Sequence, residues 1–224
     1  MIPGFPEIGK RELQDFRESE DLITLVFPLE KQRVRTFFSH EILSPQEICR
    51  LKKFQFESDQ LGFLAGRGLL RSVLHAWTGL PRVDLRLGPQ GKPFCHHVDA
   101  PYFNLSHGGG TLVLSLCQSV ELGVDVESQH RDLPYTALAK RYYSEAEQVG
   151  VWDEGKEAFL KIWTRKEARL KASGHGLTVD VKAVDTTCAD GWQYVDLAPG
   201  AGLHGCIAYE GEARKMRVFH ATSV

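Results

Sequence analysis

Ser144-Glu145-Ala146-Glu147 reads as the first turn of a helix, and Ser44-Pro45-Gln46-Glu47, one hundred residues earlier, reads the same way. In each, the serine hydroxyl can accept the backbone N–H three residues on, while the glutamate reaches back to the serine N–H. Pro45 adds the residue best tolerated at the first helical position. Downstream of each box lies an apolar helix. Phe63 to Trp77 carries Phe63, Leu70, Val73, Leu74 and Trp77 at helical spacing and runs on to Gly79-Leu80; Ala158 to Ala172 is strongly helical, within a stretch from Phe159-Leu160 to Gly176-Leu177. The repeat predicts a duplicated α+β unit with a ligand cleft between its copies. Chance is the competing explanation, because capping boxes are common.

Strands are predicted at Leu22 to Leu29, Thr111 to Cys117 and Val120 to Glu127, with short ones at Val181 to Thr187, Tyr194 to Leu197, Gly205 to Tyr209 and Met216 to His220. The expected fold is therefore α+β: a pseudo-twofold pair of halves, residues 1–104 and 105–224, each a small antiparallel sheet with packed helices. A chain of 224 residues buries about 70% of its unfolded surface, which excludes a disulfide-stapled miniprotein. With 27 Lys+Arg against 29 Asp+Glu, bulk charge cannot hold it on nucleic acid or an anionic membrane, so any anion site must be local. No apolar run approaches the ~18 residues of a membrane span, and the first residues lack the form of an export signal. Five widely spaced cysteines without a C-x-x-C pattern read as reduced thiols. Cys95, His96 and His97 are adjacent, and neighbouring side chains diverge, which argues against a shared metal. The expected product is a soluble cytoplasmic protein.

Three segments can carry chemistry. On a strand, Leu122-Gly123-Val124-Asp125-Val126-Glu127 would turn Val124 and Val126 to the core and project Asp125 and Glu127 together. Paired carboxylates repel unless a cation joins them, and hard oxygen ligands suit Mg²⁺; the bland alternative is a solvated strand face. In Trp163-Thr164-Arg165-Lys166-Glu167-Ala168-Arg169-Leu170-Lys171, Trp163, Glu167 and Lys171 share a helix face, with Lys166 beside them. Lys161, Arg165, Lys166, Arg169 and Lys171 oppose Glu167 alone, and that surplus predicts an anionic partner. Phe103-Asn104-Leu105-Ser106-His107-Gly108-Gly109-Gly110 could offer a hydroxyl, an imidazole and close backbone approach to a phosphate, or could simply be a glycine-rich strand connection.

Taken together, these segments resemble the 4′-phosphopantetheinyl transferase superfamily, in its long, surfactin-synthetase-activating form. Gly123-Val124-Asp125-Val126-Glu127 matches that family's G-[VI]-D-x-E strand, and Trp163-x-x-Lys166-Glu167-Ala168-x-x-Lys171 its W-x-x-K-E-[AS]-x-x-K helix, with Asp125 and Glu167 42 positions apart. The resemblance extends to Asn104-x-Ser106-His107, Gly91-Lys92-Pro93, Phe63-Leu64-x-x-Arg67-x-Leu69-Leu70-Arg71 and Gly174-x-Gly176-Leu177. It implies a pseudo-dimer of two α+β halves around coenzyme A. It further implies Asp125, Glu127 and Glu167 as ligands of Mg²⁺ or Mn²⁺, and Lys171 on the pyrophosphate. Lys166 would add positive potential or pack on the pantetheine arm, Arg67 and His107 would hold the 3′-phosphate, and Lys92 and Ser106 would lie around the adenosine phosphate. Catalysis would fall to Glu167, Lys171 and Asp125. Arg169 departs from the apolar or aromatic residue common at its position, and Gln60-Leu61-Gly62 lacks an arginine many relatives carry before the Phe-Leu pair, which bears on carrier preference.

The implied reaction moves the 4′-phosphopantetheine arm of coenzyme A onto a serine of an apo acyl or peptidyl carrier protein, releasing 3′,5′-ADP. The implied partners are coenzyme A and the carrier, with no nucleic acid and no membrane, and the pseudo-dimer reading implies a monomer. The competing class is a non-catalytic module that binds coenzyme A, a nucleotide or an acidic protein; it would need no metal.

Overall fold

The computed structural model describes residues 2–174 and 180–222. Its elements in chain order are α1 (Lys10–Glu18), β1 (Leu22–Pro28), α2 (Lys31–Phe37), α3 (Pro45–Leu51), α4 (Glu57–Thr78), β2 (Leu85–Leu87), β3 (Pro93–Cys95), β4 (Tyr102–Gly108), β5 (Thr111–Cys117), β6 (Leu122–Ser128), α5 (Tyr135–Tyr142), α6 (Glu145–Glu154), α7 (Lys156–Ala172), β7 (Trp192–Leu197), β8 (Leu203–Glu210) and β9 (Met216–His220). Both capping boxes form. Ser44 Oγ accepts from Glu47 N at 3.2 Å and Glu47 Oε2 from Ser44 N at 2.9 Å; the second box repeats this at 3.3 and 2.9 Å.

The strands build one sheet of order β4-β5-β1-β9, another of order β6-β8-β7, and a separate β2-β3 pair. The architecture is α+β in two halves, as expected. Gly109 and Gly110, at φ +54° and +76°, turn β4 into β5, the positive-φ pair that a tight two-residue hairpin requires. These glycines serve a strand connection. β9 lies parallel to β1, from Leu22 opposite Met216 to Val26 opposite His220, so the first sheet is mixed rather than wholly antiparallel. Position 104/105 falls inside β4, whose register with β5 is continuous from Tyr102 to Gly108. By strand pairing, the sheets divide instead in the turn between Cys117 and Leu122, and the last strand returns to the first sheet.

Other expectations shift for local reasons. The first long helix begins at Glu57 rather than Phe63, with Glu57 and Asp59 in its first turn complementing the N-terminal dipole. Val181–Ala183 is a short 3₁₀ turn, not a strand; Asp180 caps it by accepting the Lys182 N–H at 3.0 Å. Helices α1, α2 and α5 and the β2-β3 pair were not anticipated. The predicted repeat end at Gly176-Leu177 lies outside the described residues. Among the described residues no helix is long and apolar enough to cross a membrane.

One core joins α1, α2 and α4 to β1, β4 and β5 through residues such as Phe27, Leu69, Leu70 and Trp77. A second lies between the sheets, where Val113 and Leu22 meet Val124, Val126 and Ile207. At the seam β4 runs beside β6, and Asn104 Oδ1, buried, accepts the Val124 N–H at 2.9 Å. An amide side chain thus satisfies a backbone donor that the β6-β8 ladder leaves over.

Helix α7 lies on the opposite face of β6. A Cβ added to Gly123 would stand 2.0 Å from the Ala168 carbonyl oxygen and 2.4 Å from Ala172 N, so only glycine admits the helix backbone this close. Gly123→Ala is expected to destabilise the chain by about 1 to 3 kcal/mol, read by urea unfolding, since both clashing atoms are backbone and no rotamer relieves them. Wild-type stability in that variant would mean that α7 sits farther from β6.

Candidate functional site

Asp125, one pleat beyond Gly123, faces α7 from the same side of β6. Lys171 Nζ lies 2.6 Å from Asp125 Oδ1 and also donates to Ser106 Oγ at 3.2 Å and Val124 O at 3.2 Å; Ser106 donates to Asp125 Oδ1 at 2.9 Å. Three elements from both sides of the seam, β4, β6 and α7, therefore meet on one carboxylate. Asp125 Oδ2 is buried with no hydrogen-bond partner. An orphaned carboxylate oxygen is costly without a cation.

Glu167 stands one turn before Lys171. Burial pushes its carboxyl above the usual range; Lys171 opposes that, while Asp125 and Glu127 add to it. Burial likewise raises Glu127, helped by Asp125, against the pull of Arg131, whose Nη1 lies 3.3 Å from Glu127 Oε2. The three expected ligands thus come near enough to resist one another's ionisation. Among the described residues no three such groups converge as a ready ligand set; Lys171 holds one oxygen of Asp125, and Arg131 pairs with Glu127. The donor set is all carboxylate oxygen and fits a hard divalent ion, with Asp125 Oδ2 the free position.

A cleft of about 400 Å³ opens beside this group, lined by Ser106, His107, Asp125, Glu127 and Lys171 and also by Phe63, Arg67 and Arg50. His107 is exposed and packs on α4 at Gly62, where a Cβ would come within 2.4 Å of its ring. Arg50 was missed. It lies in a short helix far from the motifs in sequence, and nothing in its spacing links it to them.

Three expected site residues do not line the cleft: Glu167, which precedes Lys171 by one turn of α7, and Lys92 and Lys166. Lys92 Nζ donates to Leu122 O at 3.3 Å and Ala172 O at 3.1 Å, closing the C-terminal end of α7, where a cation meets free carbonyls. It lines a neighbouring groove of about 890 Å³ instead. Lys166 is wholly buried on the far side of α7, 2.8 Å from Glu147 Oε2, and donates to Val181 O and Val184 O. Successive helix residues diverge by ~100°, so if Glu167 faces β6, Lys166 cannot. Trp163 also stays in the fold, stacked on Phe159.

The cations expected to face an anionic partner are paired within the fold. Arg165 forms a double hydrogen bond to Asp196 at 2.9 and 2.7 Å, and Lys161 lies 3.4 Å from the same carboxylate. Arg169 stacks 4.9 Å from the Trp192 ring and donates to Asp185 O and Tyr194 Oη. The helix's surplus charge is answered mainly from α6, β6 and β7.

Two outcomes follow from this geometry. Lys166→Met should cost about 3–5 kcal/mol in urea unfolding by stranding buried Glu147, and Lys166→Met with Glu147→Gln should recover only the charge part of it, since an amide NH2 cannot accept from Ser144 N or Thr186 N; no loss in the single variant would return Lys166 to the solvent. Because the Glu167 carboxyl titrates higher folded than unfolded, its contribution to stability falls as pH rises through the folded value. In metal-chelating buffer Glu167→Gln should therefore be more stable than wild type at neutral pH, and the gain should vanish below the ordinary carboxylate range of about 4.3. A gain that grew on acidification would reverse the assignment of burial as the cause.

Comparison with known proteins agrees with this geometry. Residues 121–204 match the family model described as the 4′-phosphopantetheinyl transferase superfamily, and residues 25–119 match the 4′-phosphopantetheinyl transferase N-terminal model. The chain is 29% identical over 196 residues to the 4′-phosphopantetheinyl transferase HetI of a Nostoc species, covering 80% of this chain and 83% of that protein. It is 29% identical to the transferase Sfp and 30% identical to the transferase ffp, both of Bacillus subtilis, in each case covering 68% of this chain and 68% of the relative. Two family models that together span both halves, and a relative at 30% identity matched over two thirds of its length, assign the chain: it belongs to the 4′-phosphopantetheinyl transferase superfamily.

Proposed function

We propose that this chain transfers the 4′-phosphopantetheine arm of coenzyme A to a serine of an apo acyl or peptidyl carrier protein and releases 3′,5′-ADP. The observation that carries the reading is the junction at Asp125, where a lysine, a serine and an orphaned carboxylate oxygen from three elements meet beside a cleft that Arg50 and Arg67 also line. Such a site is cationic where a diphosphate would lie and acidic where a cation would join it.

In the proposed reaction the carrier serine Oγ bonds to the β-phosphorus and the bond from that phosphorus to the 3′,5′-ADP oxygen breaks. Glu167 takes the serine proton, directly or through a water. Lys171, held by Asp125 and Ser106, offers its ammonium to the diphosphate oxygens as charge shifts to the leaving group. Arg67 and His107 bind the 3′-phosphate. Asp125, with Glu127 and Glu167, would hold the divalent ion, Mg²⁺ or Mn²⁺, which supplies charge neutralisation at the diphosphate. Lys166, wholly buried against Glu147, has no part in it beyond the fold. Free thiols at all five cysteines accord with a reducing, cytoplasmic setting, and the paired halves with action as a monomer.

The test is intact mass spectrometry of apo carrier proteins incubated with coenzyme A, Mg²⁺ and the enzyme. One phosphopantetheine should be gained per carrier, with the gain lost in EDTA and in Asp125→Ala. Addition that survives both controls would overturn the assigned site. Binding of coenzyme A without addition to any carrier would favour a binding module.

A further inference from the structure

The two capping-box glutamates are used differently. Glu147 spends its carboxylate inside the fold, on Ser144 N, Thr186 and Lys166, and neither it nor Lys166 is exposed. Glu47 accepts Ser44 N at 2.9 Å and Arg71 Nη2 at 2.7 Å on Oε2, and its Oε1 lies 3.0 Å from Arg67 Nε. Arg67 continues into the cleft. There it and Arg50 approach the Phe63 ring, at 5.2 and 5.5 Å; the Arg67 Nε pairs with Glu47 by charge and proximity without a formed hydrogen bond, and its terminal nitrogens carry no hydrogen bond among the described residues. Burial, Arg50 and Arg71 all disfavour the Arg67 charge, and Glu47 is the group that supports it. Three guanidiniums against one carboxylate leave an excess of two positive charges, which matches a phosphomonoester dianion and exceeds what a diester carries.

We propose that Glu47 is a positioning residue for substrate selection: by pairing its charge with Arg67 on the Nε side it turns the guanidinium's terminal nitrogens toward the 3′-phosphate, so that the enzyme distinguishes coenzyme A from its 3′-dephospho analogue. The proposal rests on the reading that Arg67 binds that phosphate. A cap alone would need the Glu47 contact to Ser44 and nothing from Arg67. Orientation matters because a guanidinium binds phosphate through a planar pair of N–H groups, and a freely turning one loses that fit.

The experiment compares steady-state kinetics with coenzyme A and with 3′-dephospho-coenzyme A at saturating carrier, for wild type, Glu47→Gln, Arg67→Met and Arg67→Lys. Glutamine keeps an acceptor for Ser44 N and removes the counter-charge. Glu47→Gln should raise KM for coenzyme A about ten-fold, the lower end of the coupling between close charge pairs, with kcat within about two-fold and KM for the dephospho analogue unmoved. Arg67→Lys keeps the charge, loses the Nε contact and leaves the cap intact, so it tests orientation even if Glu47→Gln folds poorly; it should lose selectivity to the same degree. If Arg67→Met fails to separate the two substrates, the 3′-phosphate reading itself is wrong. If Arg67→Met separates them but Glu47→Gln leaves KM for coenzyme A unchanged or lower, or Arg67→Lys keeps wild-type selectivity, Glu47 is only a helix cap and the proposal is overturned.

Discussion

The close contact between β6 and α7 at Gly123 governs the rest of the site. Because no Cβ intervenes, the helix backbone rests on the strand, and Lys171 reaches Asp125 and the Val124 carbonyl. The same placement brings Glu167 into the field of Asp125 and Glu127. A helix one side chain farther away would leave Lys171 in solvent and the three carboxylates unscreened. The glycine costs backbone entropy in the strand, and what it enables is a lysine held partly out of water between a carboxylate and a hydroxyl.

On the other side of β6 the seam does comparable work. Asn104 bonds the Val124 N–H, and two residues along the same strand Ser106 bonds Asp125. One strand of the first half therefore fixes both the backbone and the acid of the second. Stability and function are coupled here: displacing β4 would free a buried donor and unhold the carboxylate together.

The duplication is visible in structure as a shared device with two outcomes. In each half a serine and glutamate open a short helix, and the glutamate takes a cation from the long helix that follows. In the second half the cation is Lys166, buried so fully that the pair belongs to the core. In the first half the cations are arginines, which are longer and forked, and one of them has nitrogens to spare for the cleft. The same local rule thus yields a structural pair in one copy and a ligand-facing pair in the other, because the elements packed over each helix differ.

Local pattern determined much of this protein. The capping boxes, the strands β1, β5, β6 and β8 and the long helices follow from hydrogen-bonding side chains at fixed offsets and from apolar periodicity, which act over a few residues; the joining of Asp125 to Glu167 and Lys171 was legible only through the family resemblance. Only the tertiary structure decided which charges are free. Lys92, Lys166, Arg165 and Arg169 read in sequence as available cations, yet each is taken by carbonyls, carboxylates or an aromatic face on a distant element. Arg50, silent in the pattern, reaches the cleft because α3 packs against α4. Electrostatic pairing depends on distance in space, and spacing along a chain carries that information only within a single helix or strand.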